Sequence, residues 1–448
     1  MDTKNNPAGT AFDVTHRLVL SIAIPMTLGF ITTPLLGLVG TGVVGHMGRP
    51  DALAGLAIGA MLFDLILGSF NFLRASTTGL TAQAYGRHDR RAQQGVFWRA
   101  IISALGCGLL LLCLSPLLLA AGVMLMGPDG AVAEATSTYF SIRILAGPAA
   151  LANYAILGFV LGRGQGTIGL LLQTIINGIN IVLAILLGLW LDWGVAGVAW
   201  GTTAGETIGA LAGLFIVLRG FDKVDRPSRN EILSRQRLAE LFALNRDILI
   251  RTFVLLAAFT LMTRIGTGFG AVTLAANAVL MNFFLLSGYY LDGLANAAEQ
   301  IIGRAVGARY RPAFDRGLKL TALWSFGLAG VISAFFLIAG PWLISALTTS
   351  PEVRQAALTY MPWAAITGLT GALAFVMDGA FIGATWSSDM RNRMLMSFAG
   401  YLAAVAIFVP LYGNHGLWLA MNGFLLFRGV FLAVLVTRRA DQTFRAAQ

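Results

Sequence analysis

Charge is scarce in this chain of 448 residues: 31 lysines and arginines and 21 acids make up only 12% of it. That is too little polar surface for a soluble fold of this length, so the bilayer must be the main solvent. Histidine is rarer still. His16, His46, His88 and His415 are dispersed without metal-ligand spacing, which argues against a metal centre. The only two cysteines, Cys107 and Cys113, stand six positions apart in one apolar segment and suit neither a disulfide nor a metal site. A phosphate-binding loop is missing as well, since the glycine-rich run LGRGQGTIG joins two apolar segments and lacks the Lys-Ser/Thr ending. No His/Asp/Glu or Ser/Lys constellation of an intramembrane enzyme is found, so neither catalysis nor a bound cofactor is expected. The polar opening MDTKNNPAGTAFDVTHR has no short apolar core with a cleavage site, and the first apolar segment is expected to remain in the mature protein.

What the chain has is apolar length: 57% hydrophobic residues and a mean hydropathy of +0.75. A spanning helix needs about 20 mostly apolar residues. Spans are expected near 16–41, 52–81, 93–121, 133–161, 166–191, 194–219, 246–268, 271–303, 316–345, 353–384, 390–411 and 415–437. The net charge of +10 does not point to nucleic acid, because the basic residues alternate between loops. They gather in the N-terminal segment, AYGRHDRRAQQ, the stretch from Arg219 to Arg251, the loop from Arg304 to Lys319, Arg391 with Arg393, and the tail. By the positive-inside rule both termini and the central linker are expected on the cytoplasmic side. Trp190, Trp193, Trp342 and Trp418 fall at predicted outer ends, where amphipathic rings favour the headgroup layer.

The single charge-rich interior stretch, 220–245, divides the chain. We expect a cytoplasmic segment at 1–15, a first lobe at 16–219, the linker, a second lobe at 246–437 and a tail at 438–448. A shift of 221 residues pairs Gly45 with Gly266, Phe63 with Phe284, Leu73 with Leu294, Gly86 with Gly307 and Arg90 with Arg311. The same shift pairs Gly158 with Gly379 and Gly162 with Gly383. This predicts an all-α integral membrane protein of twelve transmembrane helices, in two six-helix lobes related by a pseudo-twofold axis along the membrane normal.

Ionisable groups inside a span cost roughly 2.5–3.5 kcal/mol each on insertion scales and therefore call for a partner, a wet cavity or a function. Five are candidates for ion coupling: Asp292 and Glu299, seven apart on span 8, Asp378 in span 10, Asp64 in span 2 and Glu206 in span 6. The repeat maps Asn71 and Thr78 onto Asp292 and Glu299, so spans 2 and 8 each carry a polar stripe of period seven, the first also including Asp64. Asn71, Arg74, Asn153, Asn177, Asn180, Asn277, Asn282 and Tyr289 are candidates for lining a substrate cavity; for the asparagines, gluing helices together is the competing reading. Arg74, Arg143, Arg251 and Arg264 are possible partners for the acids, with Arg251 expected at the interface. Pro25, Pro34, Pro148 and Pro362 should interrupt spans 1, 4 and 10.

The strings PLLGLVGTGVVGHMG, FLRASTTGLTAQAYG, ALNRDILIR, DGAFIGAT, DMRN and GNHGLWLA, together with the repeat, resemble the multidrug and toxic compound extrusion (MATE) family of the MOP superfamily, in its DNA-damage-inducible branch. The resemblance runs from about residue 14 to the last span. It implies a V-shaped pair of lobes, a monomer in the bacterial inner membrane, and alternating-access export of amphipathic or cationic compounds against protons or sodium. Two departures stand out. The span-1 string of the family reads Leu-Val-Asp-Thr, and this chain has Gly40 in place of the acid; a second family acid, in span 5, is replaced by Ala184. Asp64 is one possible substitute, and the second-lobe acids are the other. A flippase for a polyprenyl-linked lipid is the alternative within the same superfamily, and it would favour a strongly cationic cavity.

Overall fold

The computed structural model describes residues 11–222 and 224–445. Most of the expected N-terminal segment (1–10), Lys223 of the linker and the end of the tail (446–448) lie outside the described residues. Sixteen α-helices and no strand are present among the described residues.

Span 1 is α1 (His16–Ile31) and α2 (Thr33–Gly45), broken at Thr32 just before Pro34. Span 2 is α3 (Pro50–Ser69) and α4 (Phe72–Gly86), and span 3 is the continuous α5 (Arg90–Met126). Span 4 divides into α6 (Gly130–Arg143) and α7 (Gly147–Gly162), joined by a 3₁₀ turn that ends just before Pro148. Spans 5 and 6 are α8 (Gly166–Ile185), which runs on into one π-helical turn, and α9 (Gly194–Arg219). The linker holds one short helix, α10 (Arg229–Ile232), fixed by a Ser228 capping box and by Arg91, whose guanidinium donates to Glu231 over 2.8 Å. Spans 7 to 9 are α11 (Arg235–Gly266), α12 (Ala271–Gly307) and α13 (Arg311–Leu347). Span 10 is α14 (Pro351–Ala365) and α15 (Thr367–Gly383), separated shortly after Pro362. Each expected proline interruption is therefore accompanied by a break, except at Pro25, which lies inside α1.

The final helix, α16 (Ser387–Arg445), counts 59 residues but is interrupted at Gly413, whose φ of 55° and ψ of −130° are not helical. A helix that long would measure roughly 90 Å at 1.5 Å per residue, about three times the hydrocarbon core. It is two spans, which brings the 11 apolar helical segments of sufficient length among the described residues to twelve.

The helix of span 7, α11, begins at Arg235, ahead of the expected apolar span. Two sequence expectations are corrected. The stripe Asp64, Asn71, Thr78 does not lie on one helix, because the chain turns at Phe70 and Asn71 with bonds back to Leu67 and Gly68. Trp418 is fully buried, not interfacial, whereas Trp190 and Trp342 are exposed.

Contacts group the described residues into two compact units, one of 28–81 with 89–241 and the other of 11–27 and 82–88 with 242–445. Within each unit the repeat recurs at atomic level. A Cβ on Gly158 would stand 2.5 Å from the Arg74 carbonyl oxygen, and one on Gly379 would run into the carbonyl of Ala295, the repeat partner of Arg74. Gly162 faces the Thr78 carbonyl and Gly383 the Glu299 carbonyl, again equivalent positions. The span-4 and span-10 glycines thus let α7 and α15 press against the backbone of α4 and α12. In the second unit the last turn of α4 packs on α12: Gly86 sits against the Arg304 carbonyl, Gly307 against that of Gln83, and Gly303 against Ala82.

Candidate functional site: two intramembrane charge groups

The second unit holds a buried triad. Asp378 on α15 accepts hydrogen bonds from Arg251 on α11 and, over 2.6 Å, from Arg428 on α16. Arg428 is 2% exposed and Asp378 5%, so both charges are out of water and stand only because they are paired. Asp292 on α12 is exposed and lies within Coulombic reach of Arg428. Glu299, one stripe position further along α12, is buried. Arg251 is thus a core partner of Asp378 and not the interfacial residue expected, while Arg264 bonds to Thr267 within its own turn. Sequence reasoning passed over Arg428 entirely, although a lone arginine in LLFRGVF was the available signal.

The first unit holds a different group. The side-chain amide of Asn153 on α7 donates to Glu206 on α9 twice, to the carboxylate over 2.8 Å and to the backbone carbonyl over 2.9 Å. Both residues line a cavity of about 90 Å³ together with Tyr154 and Gln173 and an apolar wall that includes Leu67 and Leu157. Beside it Arg143, at the end of α6, lies over the Phe63 ring at 5.1 Å. Its Nε and Nη1 are buried without a hydrogen-bond partner, and its charge is within reach of both Glu206 and Asp64. Asp64 itself is exposed on α3. Arg74 donates to Asn71 over 3.1 Å at the break between α3 and α4.

The remaining candidates serve mostly as fasteners. Asn177 donates to Thr32 at the span-1 break and accepts from Gln173 over 3.1 Å. Asn180 accepts from Thr202 over 3.3 Å. Asn277 exchanges amide bonds with Asn414 and accepts from the Trp418 indole over 2.9 Å, so it anchors the helix beyond the Gly413 kink. Asn282 bonds to carbonyls of its own helix, and Tyr289 is half-buried one turn before Asp292. Where the family acids are missing, the packing is apolar. A Cβ on Gly40 would meet Val198 at 3.3 Å and Leu56 at 3.8 Å, and Ala184 is buried against Gly201.

A twelve-span chain with two matched repeats suits several transporter families, and comparison with known proteins decides among them. The MatE family model matches twice, at residues 25–186 and 248–410, once in each half. The chain belongs to the MatE family. It is similar to DNA damage-inducible protein F of Escherichia coli, with 37% identity over 93% of this chain and 91% of that protein. A probable multidrug resistance protein NorM of Chromobacterium violaceum is 25% identical over 94% of this chain and 93% of its own length. Among solved structures, a MATE protein in a bent conformation superposes with a TM-score of 0.88 at 17% identity, covering 96% of both chains. A MOP superfamily transporter from Pyrococcus furiosus gives 0.86 at 16% identity, also over 96% of both chains. These structures establish the MATE fold for this multi-pass membrane protein.

Within that MatE frame the two charge groups occupy related addresses. Aligning Gly194 and Gly201 of span 6 with Gly416 and Gly423 of span 12, an offset of 222 where the repeat elsewhere keeps 221, puts Glu206 opposite Arg428. Leu157, on the wall of the first cavity, is the repeat partner of Asp378.

Proposed function

We propose that this MatE family member is a secondary active multidrug exporter, moving amphipathic or cationic organic compounds outward by alternating access against an inward flow of protons or sodium. The observation that carries the reading is the full-length match to a family whose relatives include proteins named for multidrug resistance. Ionisable groups at matched intramembrane positions in both halves support an ion-driven cycle, as such groups are retained at an insertion penalty. The chain has no phosphate-loop motif, which favours an ion gradient over nucleotide as the energy source. We place the protein in the bacterial inner membrane as a monomer, with both termini cytoplasmic in keeping with the basic loops. No bound cofactor is part of the proposal, and neither nucleic acid nor enzymatic chemistry has a role in it.

The test is uptake of a fluorescent organic cation into everted vesicles, with proton and sodium gradients imposed one at a time. Gradient-dependent accumulation is expected. Equal accumulation with neither gradient overturns the antiport.

A further inference from the structure

The geometry points to a pH-sensitive strap: residues 11–16 hold the start of α1 against α12 and α13, and protonation of His16 releases that hold. The strap stands apart from the antiport proposed above. Only the compartment whose pH it reads, the cytoplasm, comes from that proposal.

The segment 11–15 has no regular structure, yet it touches three helices. Phe12 lies under the Arg304 guanidinium of α12, which stands 3.9 Å from the ring centre, and the Tyr85 ring of α4 is 5.3 Å from the same guanidinium. Asp13 faces Arg316 of α13 at 3.9 Å, and Val14 is buried. The Thr15 hydroxyl accepts from the Leu18 amide over 3.2 Å in the first turn of α1. His16 completes the strap. Its Nδ1 accepts the indole N–H of Trp324 over 3.1 Å, and the two rings meet edge to face with centroids 6.0 Å apart. A cavity of about 350 Å³ separates residues 11–14 from 310–316. A segment that spans a cavity is held by its few side-chain contacts and not by close packing, so each contact counts.

One of these contacts titrates near neutral pH. An arginine keeps its proton throughout, carboxylates change in acid, and a phenyl ring does not titrate. His16 differs. An indole N–H only donates, so its bond needs a bare lone pair on Nδ1. The imidazolium carries hydrogen on both ring nitrogens and has none to offer. The hold is therefore complete above the range in which histidine titrates and is lost as the pH falls through it. The other ionisable groups on these elements are Arg17 on α1, Tyr85 on α4, Arg304 on α12, Arg316 and Lys319 on α13, and two acids. Those acids are already engaged, Asp13 by Arg316 and Asp315 by Arg311. An imidazolium among four cations finds no ready replacement for the lost bond.

The experiment is fluorine NMR of the full-length protein labelled with 5-fluorotryptophan in detergent, where no substrate is present and no membrane side is defined. The Trp324 resonance is the one that disappears in Trp324→Phe. In the wild type it should move in a single step between about pH 8 and pH 5. In His16→Gln, whose side-chain carbonyl still accepts from the indole but does not titrate, it should stay still. Backbone hydrogen exchange in the first turn of α1, expressed as protection relative to a free peptide of the same sequence, should fall about tenfold across the step in the wild type and hold steady in His16→Gln. Trp324→Phe removes the donor and leaves His16 in place, so its protection should be low at every pH. Circular dichroism certifies that each variant is folded. A resonance that moves in His16→Gln as it does in the wild type, or a step with no loss of protection, overturns the strap. An intact step in a protein whose N-terminus proves to lie outside the cell would instead remove the cytoplasmic placement, so the two failures are distinguishable.

Discussion

Span 6 carries an acid where span 12 carries a base, and the two halves solve the problem of buried charge in opposite ways. Around Arg428 the charges are closed: Asp378 has two guanidinium partners and little exposure. Around Glu206 they are open, with one neutral amide bonded directly and a water-sized cavity alongside. A closed group stiffens the helices that bear it, because separating its members strands a charge in a medium of low dielectric. The second half thus ties its buried acid to two guanidinium groups, and the first ties its acid to an amide beside a small cavity.

The sharpest way to break this comparison is to remove one partner from each group. Arg428→Met should destabilise the protein by about 3–5 kcal/mol, since Asp378 loses a buried partner, as measured by denaturant unfolding in detergent. Glu206→Gln keeps an acceptor for Asn153 and should change stability by less than about 1 kcal/mol. Similar losses in the two variants would erase the contrast between closed and open.

Packing gives a second test. Gly158→Ala and Gly379→Ala both drive a methyl into a facing carbonyl, and each should cost about 1–3 kcal/mol, with the larger loss at Gly379, where the approach is closer. Thermal unfolding of the pair reads whether the repeat packs alike in both halves. A smaller effect is expected at the fasteners. Asn177→Ala removes the bond to Thr32 and should lower stability by about 1 kcal/mol without abolishing binding of a fluorescent organic cation, whereas loss of binding would move Asn177 from the scaffold to the substrate path.

The spans and the repeat were legible because apolar length and a constant offset are one-dimensional properties. Prolines announced the breaks at Thr32, before Gly147 and at Ile366 for the same reason. The break at Phe70 and Asn71 contains no proline, and the stripe from Asp64 to Thr78 looked continuous. Which helices face each other is not written in periodicity. Arg251 and Asp378 are 127 residues apart and Arg428 and Asp378 are 50 apart, so their pairing depends on α11, α15 and α16 converging. Glu206 and Asn153 were both named from the sequence, but their bond was not legible there because they belong to different spans.

Ala82 and Gly303 occupy the same place in the two repeats, and they touch. A position that contacts its own counterpart cannot diverge freely, since any atom added to one copy must be accommodated by the other. One methyl fits between them, on α4, and a second would not. After the ancestral duplication, then, the two copies at this point had to become unlike or stay small together. A side chain at Gly303 would meet the Ala82 methyl and, at 3.0 Å, the Gly383 carbonyl, so the copy that stayed small is hemmed in from two sides.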